Sequence, residues 1–113
     1  KKVCKVEIIL KKEHMLIHSV LFWLKENLNE EDRSEFFDGV AKLGDIDSVE
    51  HTFIGTPADT PKRPVVDDSY DCALTVVLRD LEQHDAYQAD PIHMTFIKEC
   101  AHLWEKVQIY DAD

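Results

Sequence analysis

The sequence predicts an α+β domain in which a four-stranded antiparallel sheet carries its helices on one face. Two observations predict this class: apolar residues alternate or cluster in four short stretches, and between these stretches they recur at helical spacing. The order is strand, helix, strand, strand, helix pair, strand, which is a split β-α-β arrangement. With 113 residues, of which 44% are hydrophobic, the chain has the length and composition of one folded domain.

The first predicted strand spans Leu16 to Leu24 and has two largely apolar faces, as expected for a strand buried on both sides. A helix is predicted after Asn29, whose side chain can cap the free N–H groups of a first turn rich in acids. Gly44 is expected at the C-terminal cap of this helix. The apolar residues at helical spacing within it are Phe36, Phe37, Val40 and Leu43.

A second strand is predicted over Ser48–Gly55 and a third over Tyr70–Arg79, where apolar residues alternate. The stretch from Gly55 to Ser69 contains three prolines, and since each proline lacks a backbone N–H, we expect an irregular surface loop there. One face of the second strand is expected to carry Val49, His51 and Phe53.

A pair of helices is predicted after the third strand. Asp80, with Gln83 three residues further on, resembles a capping box and predicts a short helix through about Gln88. Asp90 and Pro91 predict the start of the second helix, as its cap and first-turn residue. The inward face of this helix is expected to carry His93, Phe96, Cys100, Leu103 and Trp104.

The last strand is predicted over Val107–Asp111, with Val107 and Ile109 on one side. The helices can cover only one face of the sheet, so the other face would leave much apolar surface in water. Such a patch usually marks an interface, and we therefore expect a homodimer in which two sheets pack as an eight-stranded barrel. The residues expected in this interface are Leu21, Trp23, Ile54, Val77 and Tyr110.

The composition argues against several classes of function. Thirteen Lys and Arg residues against 23 Asp and Glu residues give a formal net charge of −10, which argues against a nucleic-acid partner. No apolar run approaches about 18 residues, so no membrane span is predicted. Three widely separated cysteines form no disulfide framework, which favours a reduced, cytoplasmic protein.

Residues 1–14 differ from the rest of the chain, because they contain five Lys and only two acids. We expect the domain to span residues 15–113 and the natural start to be Met15. Residues 1–14 are then an extension, for which two interpretations stay open: an over-extended start, or an additional edge strand over Val3–Leu10.

Three stretches resemble the stress-responsive dimeric α/β-barrel (Dabb) family. They are His18-Ser-Val-Leu-Phe-Trp-Leu-Lys25, Ser69-Tyr-Asp-Cys-Ala-Leu74 and Ala86-Tyr-Gln-Ala-Asp-Pro-Ile-His-Met-Thr-Phe96. The resemblance runs from about Met15 to Asp113. It implies a ferredoxin-like fold and homodimers, but no single activity, since the family includes ring-forming stress proteins as well as a plant polyketide cyclase.

The resemblance also implies candidate catalytic residues. Tyr87 and His93 match the acid–base pair of the plant cyclase, and His18 on the first strand should point into the same space. Histidine is the usual base for proton abstraction next to a carbonyl, and a tyrosine hydroxyl can donate to the developing oxyanion. The apolar walls of this pocket are expected to be Val20, Phe22, Phe36, Phe37, Val40, Leu74, Val76, Leu81, Phe96, Trp104 and Ile109.

Each of the three candidates also has a purely structural interpretation. His18 would then be a hydrogen-bonded core residue, Tyr87 a core-edge residue, and His93 a brace for the helix start. The protonation of His93 stays open, because the helix N-terminus favours the neutral ring and Asp90 favours the charged one. Asp90 and Val40 replace a His and a Tyr of the cyclase, so no substrate follows from the resemblance.

No cofactor and no metal site is predicted. Asp90 and His93 are three residues apart, but no dedicated ligand spacing surrounds them. Cys72 and Cys100 are predicted as small core residues. Three further histidines are predicted as ordinary polar positions, namely His51, His84 and His102.

Three functions stay open at the level of sequence. The first is a homodimer that binds a hydrophobic, carbonyl-containing small molecule and carries a His/Tyr pair suited to lyase- or cyclase-like chemistry. The second is a non-catalytic stress or structural oligomer whose pocket is collapsed core. The third, a monooxygenase on the shared dimeric fold, would require haem-ligating or tailored residues that we do not identify.

Overall fold

The computed structural model describes residues 15–113, and it confirms the α+β class with a four-stranded antiparallel sheet. The expectations for residues 1–14, including the strand over Val3–Leu10, lie outside the described residues. The elements in chain order are β1 (Leu16–Leu24), α1 (Glu30–Lys42), β2 (Val49–Gly55), β3 (Cys72–Leu78), α2 (Leu81–Ala89), α3 (Pro91–Cys100) and β4 (Trp104–Ala112). This is the ferredoxin-like arrangement.

Strand β1 lies in the middle of the sheet, whose order is β2-β3-β1-β4. It pairs with β3 on one side and with β4 on the other, so both of its edges are hydrogen-bonded within the sheet. Its residues alternate between buried and half-buried, because the helices cover only one face. We call this covered face the inner face and the opposite one the outer face.

The three helices begin at the predicted caps. The Asn29 side chain accepts a hydrogen bond from the backbone N–H of Asp32 at 2.7 Å, and Asp32 completes the capping box. Asp80 caps α2 by accepting from Gln83 at 2.9 Å, and Asp90 caps α3 by accepting from Ile92 at 2.8 Å. Local sequence therefore sets where each helix starts.

The end of α1 differs from the prediction. Helix α1 continues into a 3-10 turn over Leu43–Asp45, so Gly44 is not a left-handed cap, and no described residue has a positive φ angle. A Cβ atom at Gly44 would lie 3.1 Å from the Oγ1 atom of Thr52. The glycine thus allows the turn to approach β2 closely.

The last strand is longer than predicted. It begins at Trp104, immediately after a 3-10 turn over Ala101–Leu103, and Trp104 pairs with Leu24. Trp104 was expected on the inward face of α3, but its ring still reaches the core, where it lies 5.1 Å from the Phe22 ring.

The predicted faces of β2 are wrong because the strand contains a β-bulge. The register shifts between Val49 and His51, so these two residues do not share a face as expected. Ile54 pairs with the buried residue Leu74 and therefore lies on the inner face, whereas the sequence predicts it on the outer face. Phe53, which is 62% exposed, lies on the outer face instead.

The core lies between the sheet and the helices, where Phe36 of α1 and Phe96 of α3 pack against Phe22 of β1. Cys72 and Cys100 are buried and free, as small core residues should be. The segment between β2 and β3 has no helix or strand, as its prolines predict. Among residues 15–113, no helix is long and apolar enough to cross a membrane.

Candidate functional site

A cavity of about 120 Å³ lies between the inner face of the sheet and the helix pair α2–α3. Each of the three predicted catalytic residues lines it, although they come from three different elements: His18 from β1, Tyr87 from α2 and His93 from α3. The fold therefore brings together three polar groups that span 75 positions of the chain, from 18 to 93.

Tyr87 and His93 face each other across the turn between α2 and α3. Their ring centroids are 4.9 Å apart, with an angle of 66° between the planes. Tyr87 is near the end of α2, and Asp90 ends that helix and caps the next one, which places His93 in the first turn of α3. The cap thus sets the distance between the two side chains.

Burial controls the protonation of this pair. It raises the pKa of Tyr87, which is 1% exposed, so the phenol remains protonated and can donate a hydrogen bond. Burial lowers the pKa of His93, and the nearby His18 and His84 add to this effect, whereas Asp90 opposes it. The neutral imidazole that results can accept a proton.

His18 is held by the last strand. Its Nδ1 atom lies 2.5 Å from the Oδ1 atom of Asp111, the residue directly opposite it in β4. The ring is 2% exposed and lies edge-on to Tyr87, at a centroid distance of 5.6 Å. His18 is therefore a hydrogen-bonded core histidine and also a wall of the cavity.

About half of the predicted apolar walls line this cavity, namely Val20, Phe22, Leu74, Phe96, Trp104 and Ile109. Phe36, Val40 and Val76 are instead fully buried in the core, and Phe37 packs against its edge. Leu81 is wrong as a wall residue, because it begins α2 pointing to solvent and is 63% exposed.

Several residues of the site were not predicted. Asp111 and Val107 follow from strand alternation with Ile109, so the inner-face pattern of β4 was a usable signal. His84 is three residues before Tyr87 on α2, a spacing that places both on one helix face. Leu43, Gln88 and Ile97 also line the cavity and were not predicted as its walls.

A larger groove of about 540 Å³ lies between α1 and α3. Its floor includes Gly39 and Phe96, and its rim carries acids such as Glu35 and Glu99. Among residues 15–113, no histidine or tyrosine lines this groove. We therefore place the candidate acid–base site in the smaller cavity, where such residues converge.

Comparison with known proteins finds one matching family model and several solved structures with the same fold. The family model described as the stress responsive A/B barrel domain matches residues 16–113. A hydroxynitrile lyase from Passiflora edulis has a similar structure, with a TM-score of 0.72, 18% identity, and coverage of 88% of this chain and 93% of that chain. Among curated proteins, no match to this sequence is found.

Two further solved structures are similar. A Dabb family protein with a ferredoxin-like fold from Mesorhizobium loti has a TM-score of 0.70 and 23% identity, covering 88% of this chain and 95% of that chain. A dimeric ferredoxin-like protein of unknown function from Thermobifida fusca has a TM-score of 0.71 and 17% identity, covering 89% and 92%. At such low sequence identity, the structural similarity establishes a shared fold alone.

Proposed function

This chain belongs to the stress-responsive A/B barrel domain (Dabb) family, and on that premise we propose that it is a homodimer whose subunits each bind a hydrophobic carbonyl compound in the cavity beside Tyr87 and His93. The observation that carries the proposal is the convergence of a buried phenol, a half-buried neutral imidazole and a third histidine on one mostly apolar cavity.

The chemistry follows from these protonation states. His93 removes a proton from the carbon next to the carbonyl and becomes an imidazolium, while Tyr87 donates a hydrogen bond to the carbonyl oxygen as it becomes an enolate. The enolate carbon then attacks a second carbonyl of the same molecule, and His93 returns its proton to the new alkoxide. The reverse sequence is a lyase reaction, and one structural relative is a hydroxynitrile lyase.

His18 is assigned an orienting role in this scheme. Its hydrogen bond with Asp111 fixes the plane of the ring, which lies in a T-shaped arrangement with the Tyr87 ring. We propose that His18 orients the substrate or hydrogen-bonds it, and that Asp111 is a positioning residue acting through His18.

The shape of the cavity limits the ligand. At about 120 Å³ it is smaller than most drug-sized ligand sites, which begin at about 300 Å³. Three of its lining residues, Ile97, Val107 and Ile109, are 40–46% exposed and form a mouth between α3 and β4. We propose that the carbonyl end of the ligand enters the cavity and that its apolar tail lies along this mouth.

The homodimer is proposed from the outer face of the sheet. Leu21, Trp23 and Val77 are only half-buried there, and Tyr110 is 60% exposed. Phe53 joins this set and Ile54 leaves it, as the β2 register requires. The Thermobifida fusca relative is dimeric, which supports a dimer, and we propose that its two sheets pack face to face.

Deuterium exchange at the carbon next to a carbonyl tests the proposed proton abstraction. A panel of aliphatic ketones and aldehydes is incubated with the protein in D₂O, and loss of the α-proton NMR signal is followed. His93→Ala should reduce the exchange rate by about 10²-fold or more, and Tyr87→Phe by about 10². The matched controls are the exposed His102→Ala and the half-buried Tyr70→Phe, which should exchange at the wild-type rate.

Exchange that survives both His93→Ala and Tyr87→Phe would exclude this acid–base pair. The second candidate is a non-catalytic oligomer, and the small volume of the cavity favours it. In that case no member of the panel should bind or exchange, while the oligomer persists.

A further inference from the structure

A second constellation lies against the wall of the cavity. His18 of β1, His84 of α2 and Asp111 of β4 each offer a potential ligand atom, and these atoms lie within 4.8 Å of one another. The sequence predicts no metal site, because the three residues are far apart in the chain and no ligand spacing connects them.

We propose that His18, His84 and Asp111 bind a divalent transition-metal ion of the Zn²⁺ type. Two imidazole nitrogens and one carboxylate are a common protein ligand set for Zn²⁺, which then keeps a fourth position open for water or a ligand. This inference goes beyond the proposed function and does not depend on it, because it concerns metal binding in the absence of any carbonyl compound.

The spacing of the ligand atoms fits such an ion. With bonds of about 2.0–2.2 Å, two ligands of a tetrahedral Zn²⁺ lie about 3.4 Å apart. The Nδ1 atom of His18 lies 2.5 Å from Oδ1 of Asp111, and the Nε2 atom of His84 lies 3.9 Å from Oδ2 of Asp111. A shift of less than about 1 Å in each of these two pairs would give that spacing, and the ligand atoms of His18 and His84 lie within 4.8 Å of each other.

The second ring nitrogen of His84 supports the assignment. Its Nδ1 atom lies 3.2 Å from the Oδ1 atom of Asp85, which leaves Nε2 facing Asp111. Metal-binding histidines commonly place their other nitrogen on a carboxylate in this way, since the contact fixes the tautomer and the orientation of the ring. Asp85 would thus orient the His84 ring without binding the metal itself.

The exposure of the three side chains gives a metal ion a route to the site. The side chain of His18 is 3% exposed and fixed, that of His84 is 18% exposed, and that of Asp111 is 43% exposed. An ion can therefore reach the site from the Asp111 side without opening the core. Binding at Nδ1 would leave the ring proton of neutral His18 on Nε2, which makes that nitrogen a hydrogen-bond donor.

Titration with Co²⁺ alone tests the proposal, since tetrahedral Co²⁺ absorbs visible light and substitutes for Zn²⁺. The untagged full chain is first stripped with EDTA, and the chelator is removed. The wild type should bind one Co²⁺ per chain with visible absorption bands. His84→Ala and Asp111→Asn should each weaken binding by more than about tenfold. His102→Ala is the matched control and should bind as the wild type does.

Both substituted residues are partly exposed, and circular dichroism of the metal-free variants verifies that they fold. As a second readout, Zn²⁺ should raise the melting temperature of the wild type but not that of His84→Ala. Equal Co²⁺ binding by wild type and His84→Ala, or the absence of binding to the wild type, would overturn the assignment. Neither outcome affects the roles of Tyr87 and His93, which the deuterium exchange tests separately.

Discussion

The Nδ1 atom of His18 lies 2.5 Å from the Oδ1 atom of Asp111, although 93 positions of the chain separate the two residues. They are direct partners in the pairing of β1 with β4, so the contact ties the end of the last strand to the centre of the sheet. The same pair joins the wall of the cavity to the proposed metal site. The strength of the His18–Asp111 contact therefore affects both the cavity wall and the proposed metal site.

A double-mutant cycle measures this strength. His18→Leu, Asp111→Asn and the double variant are unfolded with urea in the presence of EDTA, and the coupling energy should be about 1–2 kcal/mol, reduced by the partial exposure of Asp111. The exposed pair Arg79–Glu50, at 3.5 Å, is the control and should couple by less than about 1 kcal/mol. Additive effects at His18 and Asp111 would contradict the assigned contact.

The lowered pKa of His93 predicts how stability depends on pH. In the unfolded chain its pKa is about 6.5, and burial beside His18 lowers it in the folded protein, with Asp90 opposing and His84 adding. Below about pH 6.5 the unfolded chain therefore binds the proton first, and the free energy of unfolding falls as the pH falls. Between pH 7.5 and pH 5.5, the free energy of unfolding should therefore fall less in His93→Gln than in the wild type.

Urea midpoints at the two pH values provide the measurement, and the exposed His102→Gln is the control that should retain the wild-type dependence. A pH dependence in His93→Gln as steep as that of the wild type would mean that the pKa of His93 is not lowered by folding.

Gly39 of α1 is predicted to be required where α1 crosses α3. A Cβ atom there would lie 2.9 Å from the Sγ atom of Cys100 and 3.1 Å from a ring carbon of Phe96. Both neighbours are buried, so Gly39→Ala should destabilise by about 1–3 kcal/mol through overpacking, despite a gain of about 1 kcal/mol in helix propensity. Calorimetry compares this variant with Gly55→Ala, where no atom of the described part of the chain lies within 4 Å of the added Cβ.

Gly55→Ala should change stability by less than about 0.5 kcal/mol, as expected for an exposed position. Because Phe96 also lines the cavity, Gly39→Ala should weaken binding of a carbonyl compound as well. A Gly39→Ala variant as stable as the wild type would show that Cys100 and Phe96 can move without cost.

The outer face is predicted to hold the dimer together. Val77 pairs with Ile17 and His51 near the middle of that face, so Val77→Glu would place a charge in the proposed interface. Light scattering should report a dimer for the wild type at micromolar concentration and a monomer for Val77→Glu. The control is Val65→Glu in the loop, where Val65 is already 80% exposed and the dimer should persist. A monomeric wild type would refute the barrel.

Much of the fold could be predicted because it depends on local signals. The caps at Asn29, Asp80 and Asp90 each make the expected side-chain hydrogen bond, so helix starts are encoded within four residues. The face of Ile54 was wrong for the opposite reason. A bulge depends on the pairing between strands, and no residue near Val49 predicts it from the sequence.

The candidate site was predictable in part. Tyr87 and His93 are close in sequence, and the turn between their helices determines their contact, so a local motif was sufficient. His84 was assigned an ordinary polar role because its partners His18 and Asp111 belong to distant strands. Leu81 was misplaced because an apolar residue in the first turn of a short helix can face solvent as readily as the core.

We propose above that a carbonyl group enters the cavity between Tyr87 and His93. The most direct measurement is histidine-ring NMR during titration with a straight-chain methyl ketone, and with the alkane of the same length as a control, in the presence of EDTA. We expect saturable shifts at His93 and His18 with the ketone, weaker ones with the alkane, and loss of this difference in Tyr87→Phe. The absence of saturable shifts, or equal shifts at the exposed His51 and His102, would contradict it.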